Sequence, residues 1–479
     1  PDPLFCGLFS NKFAEQVVRA YHRGCYVEPR AFHYFQITMG KGGNASTKTS
    51  AASQEVLIEG TFYDVTDFKH PGGSIIKFLS GSGADATPSY REFHVRSTKA
   101  DKYLKSLPQR KATNEELRRA SSLSKLQPGK DTAALTDEAK VEALNRDYEQ
   151  LREDLIKEGF FKPNLFHVAY RLVEVSAMWA VGTYLLLLNN LMLQAVGAVS
   201  LALSMGRCGW LMHEGGHYSM TGNIKIDKRF QEFIYGFGCG MSGAWWRNQH
   251  NKHHATPQKL QHDVDLSTLP LVSFNTAVTD HQKVAPGSLQ ALWLKYQAFL
   301  FFPVTSLLVG LGWTLFLHPK HSLRTRRGFE LASMAARYAV FYASFAPKFG
   351  AAGALGLYLA CFTMACNYIF CNFAVSHTHL PVSAASDYLH WVVYSAIHTT
   401  NISNCWMVNW WMSYLNFQIE HHMFPSMPQF RHPKISPRVK ALFEKHGLVY
   451  DVRPYWGAMA DTFSNLHQVG AEAQHAKAH

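Results

Sequence analysis

The chain has 479 residues, of which 47% are hydrophobic and 13% aromatic, and it carries a net charge of +12 at neutral pH. This composition excludes a disordered chain and leaves room for two or three domains. The positive balance points to an anionic partner, and long apolar runs assign it to a lipid surface rather than to nucleic acid. The eight cysteines contain no C-x-x-C pair, and Cys361, Cys366 and Cys371 fall five apart in an apolar stretch. That spacing suits packing in a reducing compartment, not a disulfide framework.

The first methionine is Met39, where "MGKGGNAS" opens a polar stretch. Residues 1–54 are therefore expected to be an upstream or disordered segment, with the native start at Met39. From 56 to 97 the chain begins with strand-like alternation, turns at "HPGG" (70–73) and passes through short helical runs to His94. His70 stands before Pro71, and Gly72 and Gly73 free the backbone to turn close to a flat ligand. Two imidazoles presented from facing loops are what a six-coordinate haem iron takes. With "YDVTDF" before it and "GADAT" after it, this segment resembles cytochrome b5. The resemblance implies a small α+β domain over 55–108, binding haem b through His70 and His94, followed by a Lys/Arg/Ser-rich linker over 109–145.

Residues 146–479 are expected to form a membrane domain. Crossing a bilayer takes roughly 20 apolar residues, and 166–188 and 191–212 qualify, separated only by Asn189 and Asn190. Glu174 and Arg207 are costly there and are expected to face the bundle interior or an interface. Three apolar stretches follow, at 298–317, 329–347 and 352–375. If all three crossed, the histidines near 250 and near 421 would face opposite sides of the bilayer and could not share a metal. "HPKHSLRTRR" (318–327) has four Lys/Arg, which the positive-inside rule places in the cytosol. The stretch 298–317, with Pro303, is accordingly read as re-entrant or interfacial and the other two as a crossing hairpin. The short, Gly-rich 229–246 reads as a membrane-surface helix. The expected fold is thus an α-helical integral membrane protein of about four transmembrane helices, its histidine clusters in a cytosolic cap and both termini cytosolic.

The histidines form three clusters. "HEGGH" supplies His213 and His217 at i and i+4, on one helix face. "HNKHH" supplies His250, His253 and His254, and "QIEHH" repeats that spacing with Gln418 before His421 and His422. H-E-x-x-H alone would suit a zinc protease with Glu214 as general base, but that leaves the other clusters unexplained. Seven clustered histidines exceed the four ligands of one zinc, and imidazole-rich sites suit iron, so two metals are expected. "HDVDL" offers His262, Asp263 and Asp265 either as partners that orient ligand imidazoles or as a polar surface turn.

The order HxxxH, HxxHH, QxxHH behind a cytochrome b5-like segment resembles the membrane-bound front-end fatty-acyl desaturases. The resemblance implies a di-iron centre that uses O2 and two electrons to insert a cis double bond between an existing one and the carboxyl end. It implies an acyl-CoA or phospholipid-bound polyunsaturated substrate, and NADH electrons arriving through a separate cytochrome b5 reductase. It also implies an endoplasmic reticulum membrane. His377, in "NFAVSHTHLPV", resembles by position an extra histidine of the di-iron shell, with His379 and His398 as weaker candidates. Gln418 is the family's rule at its position, as a weak ligand or as a hydrogen-bonding neighbour. "GRCGWLMHEGGHYSMTGNIKID", "GCGMSGAWWRNQHNKHHATPQKLQHDVDLSTLPLV" and "FPSMPQFRHPKISPRVKALFEKHGL" are most similar to microalgal Δ5 desaturases. Such enzymes act on C20 chains to give arachidonic and eicosapentaenoic acid. Δ6 acyl desaturases and then sphingolipid Δ8 desaturases are the alternatives. A hydroxylase would share the ligands, whereas a haem electron carrier would leave the boxes idle and a metal transporter would place ligands at the bilayer midplane.

Overall fold

A computed structural model describes residues 54–122, 138–266 and 268–475. The expected start at Met39 and nearly all of the segment 1–54 lie outside them.

The N-terminal unit is small. Strands β1 (Glu55–Ile58), β2 (Thr61–Asp64) and β3 (Gln109–Lys111) form an antiparallel sheet in that order. Val56 opposes Tyr63, and Phe62 opposes Arg110. Val56, Ile58, Val65 and Ala86 make its core. Helix α1 (Thr87–His94) closes one wall, with Pro88 in the first turn where its missing N–H costs nothing. The segment expected as a linker from 109 thus begins inside this sheet, and Ala120 packs on Leu57 and Phe62.

Helix α2 (Glu138–Lys157) fastens this unit to the rest. Glu92 of α1 accepts from Arg152 Nε at 2.5 Å and from the Tyr148 hydroxyl at 3.2 Å. Arg96 donates to the carbonyls of Phe161 at 2.6 Å and Ser426 at 3.1 Å.

Helices α3 (Leu165–Leu187) and α4 (Leu191–Gly216) form an antiparallel hairpin. Each begins at an asparagine whose side chain caps it: Asn164 accepts from Phe166 N and His167 N, and Asn190 from Leu193 N. The helices cross at two glycines, where a Cβ at 182 would lie 2.9 Å from the Gly197 carbonyl oxygen.

After α5 (Ile224–Cys239) and α6 (Gly243–Ala255) comes α7 (Gln297–Arg324), a helix with two π-turns. Helix α8 (Gly328–Ala374) would be about 70 Å long if straight, far more than a bilayer core of about 30 Å. It folds back instead at Gly350, whose φ of 70° and ψ of 170° suit only glycine, three residues after Pro347. Lys348, at this tip, donates to the carbonyls of Leu187 (2.6 Å) and Leu188 (2.8 Å), so the tips of both hairpins lie together.

Among the described residues three helices are long and apolar enough to cross a membrane: Leu191–Gly216, Gln297–Arg324 and Gly328–Ala374. The last comprises both arms expected at 329–347 and 352–375. Helix α3 is absent from this set because Arg171 and Glu174 interrupt its apolar run. Those charges are paired: Glu174 meets Arg207 at 2.7 Å and Arg171 at 3.3 Å, and Trp410 Nε1 donates to it at 2.6 Å. Helix α7 packs near both ends of the α8 hairpin. Phe301 and Trp313 lie 6.3 and 5.7 Å from Phe370, while Ser322 donates to Glu330 at 2.9 Å.

Candidate metal centre

The first two ligand clusters are held by buried anchors at the ends of the long helices. His213 and His217 close α4, opposite its tip. At the start of α6, Ser242 Oγ caps Trp245 N and donates to Glu330 at 2.5 Å, and Ala244 N donates to the same carboxylate at 2.9 Å. The first turn of α8 thereby fixes the helix that bears His250, His253 and His254. His421 and His422 lie on the short helix α9 (Gln418–Met423). Its Glu420 accepts from Asn401 at 2.8 Å and from the Tyr450 hydroxyl at 2.5 Å.

Eight histidines converge into two groups. His213, His217, His250, His254 and His421 present ring nitrogens all within 4.8 Å of one another, as do His253, His377 and His422. Within the first group, His250 Nε2 lies 3.0 Å from His213 Nε2 and 3.1 Å from His254 Nε2. Burial, reinforced by the neighbouring imidazoles, holds the pKa of His250, His254, His421 and His422 well below the ordinary value. His217 is pushed down to about 3 by the same burial. Among the described residues, both ring nitrogens of His421, Nε2 of His217 and Nδ1 of His422 have no hydrogen-bond partner. Neutral imidazoles with open lone pairs are the form that binds metal. This donor set fits two metal ions.

Surrounding groups orient the rings. His253 Nδ1 donates to Asp263 at 2.9 Å, with Asp265 at 3.4 Å. Burial lowers the pKa of His253, but the two carboxylates more than reverse that, raising it to about 9. Asp263 is itself pinned by Gln258 N at 2.7 Å and Asp265 N at 2.9 Å. His377 Nδ1 donates to the His398 carbonyl at 2.9 Å, and the Gln418 side chain is a further hydrogen-bond partner of His377.

Several sequence candidates stand elsewhere. His379 and His398 belong to neither group. His262 stacks on Phe78 of the N-terminal unit at 4.5 Å. Glu214 accepts from Gln429 N at 3.1 Å and does not line the cavity below the histidines. One contributor escaped the sequence analysis: the Gln429 amide meets His213 Nδ1 at 2.6 Å. It follows the third cluster without helical spacing, so nothing in the sequence marks it.

A cavity of about 240 Å³ opens beneath both groups. His213, His250, His253, His377, His421 and His422 line one end, Trp210 and Trp246 its flank, and Met205 and Phe362 its depth. Its wall is largely apolar, so a hydrocarbon chain can lie against the metal-binding end with water excluded.

In the N-terminal unit the His70 and His94 rings stand edge to face, their centres 6.0 Å apart and their planes at 89°. His94 Nδ1 donates to the Tyr90 carbonyl at 2.8 Å, and His70 Nδ1 is buried without a partner among the described residues. A Cβ at Gly72 would lie 2.7 Å from His70 Cε1, so a side chain there would push the imidazole aside. Gly73 (φ 90°) abuts the Asn248 side chain of α6 too closely for any Cβ. The pair fits an ion held between two imidazoles.

Long apolar helices, a double histidine centre and an apolar cavity beneath it define a membrane-embedded metalloenzyme that acts on hydrocarbon chains. Residues 190–454, more than half of the chain, match the family model for fatty acid desaturases. The chain belongs to the fatty acid desaturase family and is an oxidoreductase of lipids. It is 50% identical over 444 residues to an acyl-lipid (8-3)-desaturase of Thraustochytrium sp, covering 90% of this chain and 98% of that protein. Against an acyl-lipid (8-3)-desaturase of Rebecca salina it is 54% identical over 419 residues, covering 87% and 91%. It is 27% identical over 425 residues to the fatty acid desaturase 2-like protein FADS2B of Mus musculus, covering 87% and 82%.

Proposed function

We propose that the protein is a front-end desaturase that inserts a cis double bond at Δ5 of C20 polyunsaturated acyl chains. The observation that carries the desaturase chemistry is the convergence of eight histidines, seven buried and His250 partly so, into two groups at one end of an apolar cavity. With two irons bound, the centre uses O2 and two electrons to remove hydrogen from adjacent methylene carbons. The chain's own residues do the rest. The eight histidines hold the irons, Asp263 orients His253, and Gln418 and the His398 carbonyl orient His377. Trp210 and Trp246 wall the cavity against water. The Δ5 assignment rests on the similarity to microalgal Δ5 desaturases and on relatives named acyl-lipid (8-3)-desaturases, which also favour a phospholipid-bound substrate over acyl-CoA.

Residues 55–108 act as a cytochrome b5-like donor, with haem b between His70 and His94 and electrons from NADH through a separate reductase. The contact of Gly73 with Asn248 sets that donor on the helix that carries His250, His253 and His254, which supports transfer within one chain. Four crossings, by α3, α4 and the two arms of α8, leave all histidines and both termini on the cytosolic face of the endoplasmic reticulum. The packing of α7 near both ends of the α8 hairpin supports an interfacial place for that helix.

The test is fatty-acid profiling of yeast expressing the full chain, fed separately with dihomo-γ-linolenic and linoleic acids. Arachidonate from the first is the expected product. Conversion of linoleate alone to γ-linolenate would make the enzyme a Δ6 desaturase. Neither product, with membrane expression verified, would overturn acyl front-end activity and direct the assay to sphingolipid bases.

A further inference from the structure

The cavity reaches two kinds of surroundings. On one side Val264, Asp265 and Thr268 line it, and the Asp265 side chain is 34% exposed. On the other side it descends between α4, α5 and α8 past Cys366 and Phe362 to Arg337. Met205, beside Arg337, precedes His213 by about 12 Å of helix.

Arg337 is 6% exposed, lies within a membrane helix, and forms no ion pair among the described residues. Its Nε donates to the Tyr358 hydroxyl at 3.2 Å and its Nη1 to the carbonyls of Phe237 (3.3 Å) and Gly238. Nη2 meets Met205 Sδ at 3.2 Å. These two carbonyls belong to the last turn of α5, where the helix dipole is negative. Tyr358 is buttressed by Phe341 at 5.1 Å and stacks on Phe362 at 5.7 Å.

We propose that Arg337 is the floor of the acyl cavity, stopping the methyl end and setting how many carbons fit beyond the reacting pair. The proposal rests on the desaturase reading above. A thioether or aliphatic floor yields to a longer chain by changing rotamer. A guanidinium in this place does not, because displacing it strips its hydrogen bonds and leaves a bare charge in an apolar interior. The carboxyl end and its carrier then leave past Asp265 and Thr268.

Two measurements test this. In the first, the full chain in membranes is irradiated with phosphatidylcholine that bears a C20 polyunsaturated chain and a diazirine on its terminal carbon. Labelling at Arg337, Phe362 or Cys366 is expected; labelling confined to the Val264–Thr268 side, or no specific labelling, overturns the proposal. No turnover is needed, so this result is independent of the desaturase reading. In the second, wild type and Arg337→Gln are compared on chains identical through their existing double bonds but differing by two terminal carbons. Glutamine still reaches a polar partner but is short and uncharged. Wild type is expected to disfavour the longer chain by about tenfold, and the variant to lose most of that discrimination. An unchanged ratio with a lower absolute rate would mean a purely structural arginine and overturns the proposal. Absence of any desaturation by wild type would sink the desaturase reading, leaving the labelling map to decide the floor.

Discussion

Asp263 offers the sharpest test of how the centre is assembled. Its carboxylate is fully buried and takes three donors: His253 Nδ1 (2.9 Å) and Gln258 N (2.7 Å) on one oxygen, Asp265 N (2.9 Å) on the other. In Asp263→Asn the amide oxygen can keep the first two, but its NH2 then faces the Asp265 N–H. One buried donor is left unsatisfied, at a cost of about 1–3 kcal/mol. His253 keeps its tautomer and, with Asp265 only 3.4 Å away, much of its orientation. Groups that orient ligand histidines contribute about 10–100-fold in metal affinity. Asp263→Asn should therefore lose about tenfold and Asp263→Ala about 100-fold. The assay is iron retained per chain by the purified full-length protein over a graded chelator series, with circular dichroism as a check on folding. If Asp263→Ala held iron like wild type while His253→Ala lost it, the orienting role would be refuted.

Three other predictions follow from buried groups. Glu174→Gln leaves Arg207 and Arg171, whose side chains are 1% and 3% exposed, without their carboxylate. The loss should be about 3–5 kcal/mol and visible as a lower unfolding temperature in detergent, with Glu174→Leu/Arg171→Leu/Arg207→Leu, which strands no charge, recovering most of it. Lys259 is fully buried, without a hydrogen-bond partner among the described residues, 4.0 Å above the Tyr388 ring. Burial pushes its pKa down to about 8. Between pH 8 and its ordinary 10.5 the unfolded chain binds more protons, so stability should rise with pH across that window. Lys259→Met should abolish that rise in thermal scans and be no less stable at pH 7, since relief of about 1–3 kcal/mol outweighs most of a ring contact of about 0.5–2 kcal/mol. His70→Ala should remove the haem Soret band and reduce NADH-driven turnover at least tenfold, without changing iron content; an unchanged Soret band would refute the His70 assignment.

Much of the site was legible because helices repeat every 3.6 residues. Spacings of four put His213 with His217, and His250 with His254, before any fold was known, whereas the spacing of three that also set His253 beside His250 ends in separate groups. The tips joined through Lys348 lie at the opposite end of α4 from His213 and His217. The turn at Asn189–Asn190 was legible as well, since a capping side chain marks a helix start. The extent of the N-terminal unit was not, because Gln109–Lys111 is polar and exposed, with pairing to β2 its only sign of being a strand.

By itself the sequence determined that two metals would be wanted, from the number of imidazoles and their types. Only the tertiary structure decided which imidazole serves which group. Consecutive residues on a helix point about 100° apart. His253 and His254 therefore fall into different groups, and so do His421 and His422. The same packing split the "HDVDL" turn, sending Asp263 and Asp265 to His253 and His262 to Phe78. It also brought in His377 and Gln429, whose places depend on where α8 and the segment after α9 come to rest. Local periodicity encodes which face a side chain takes, whereas what that face meets is set by contacts between segments more than a hundred residues apart.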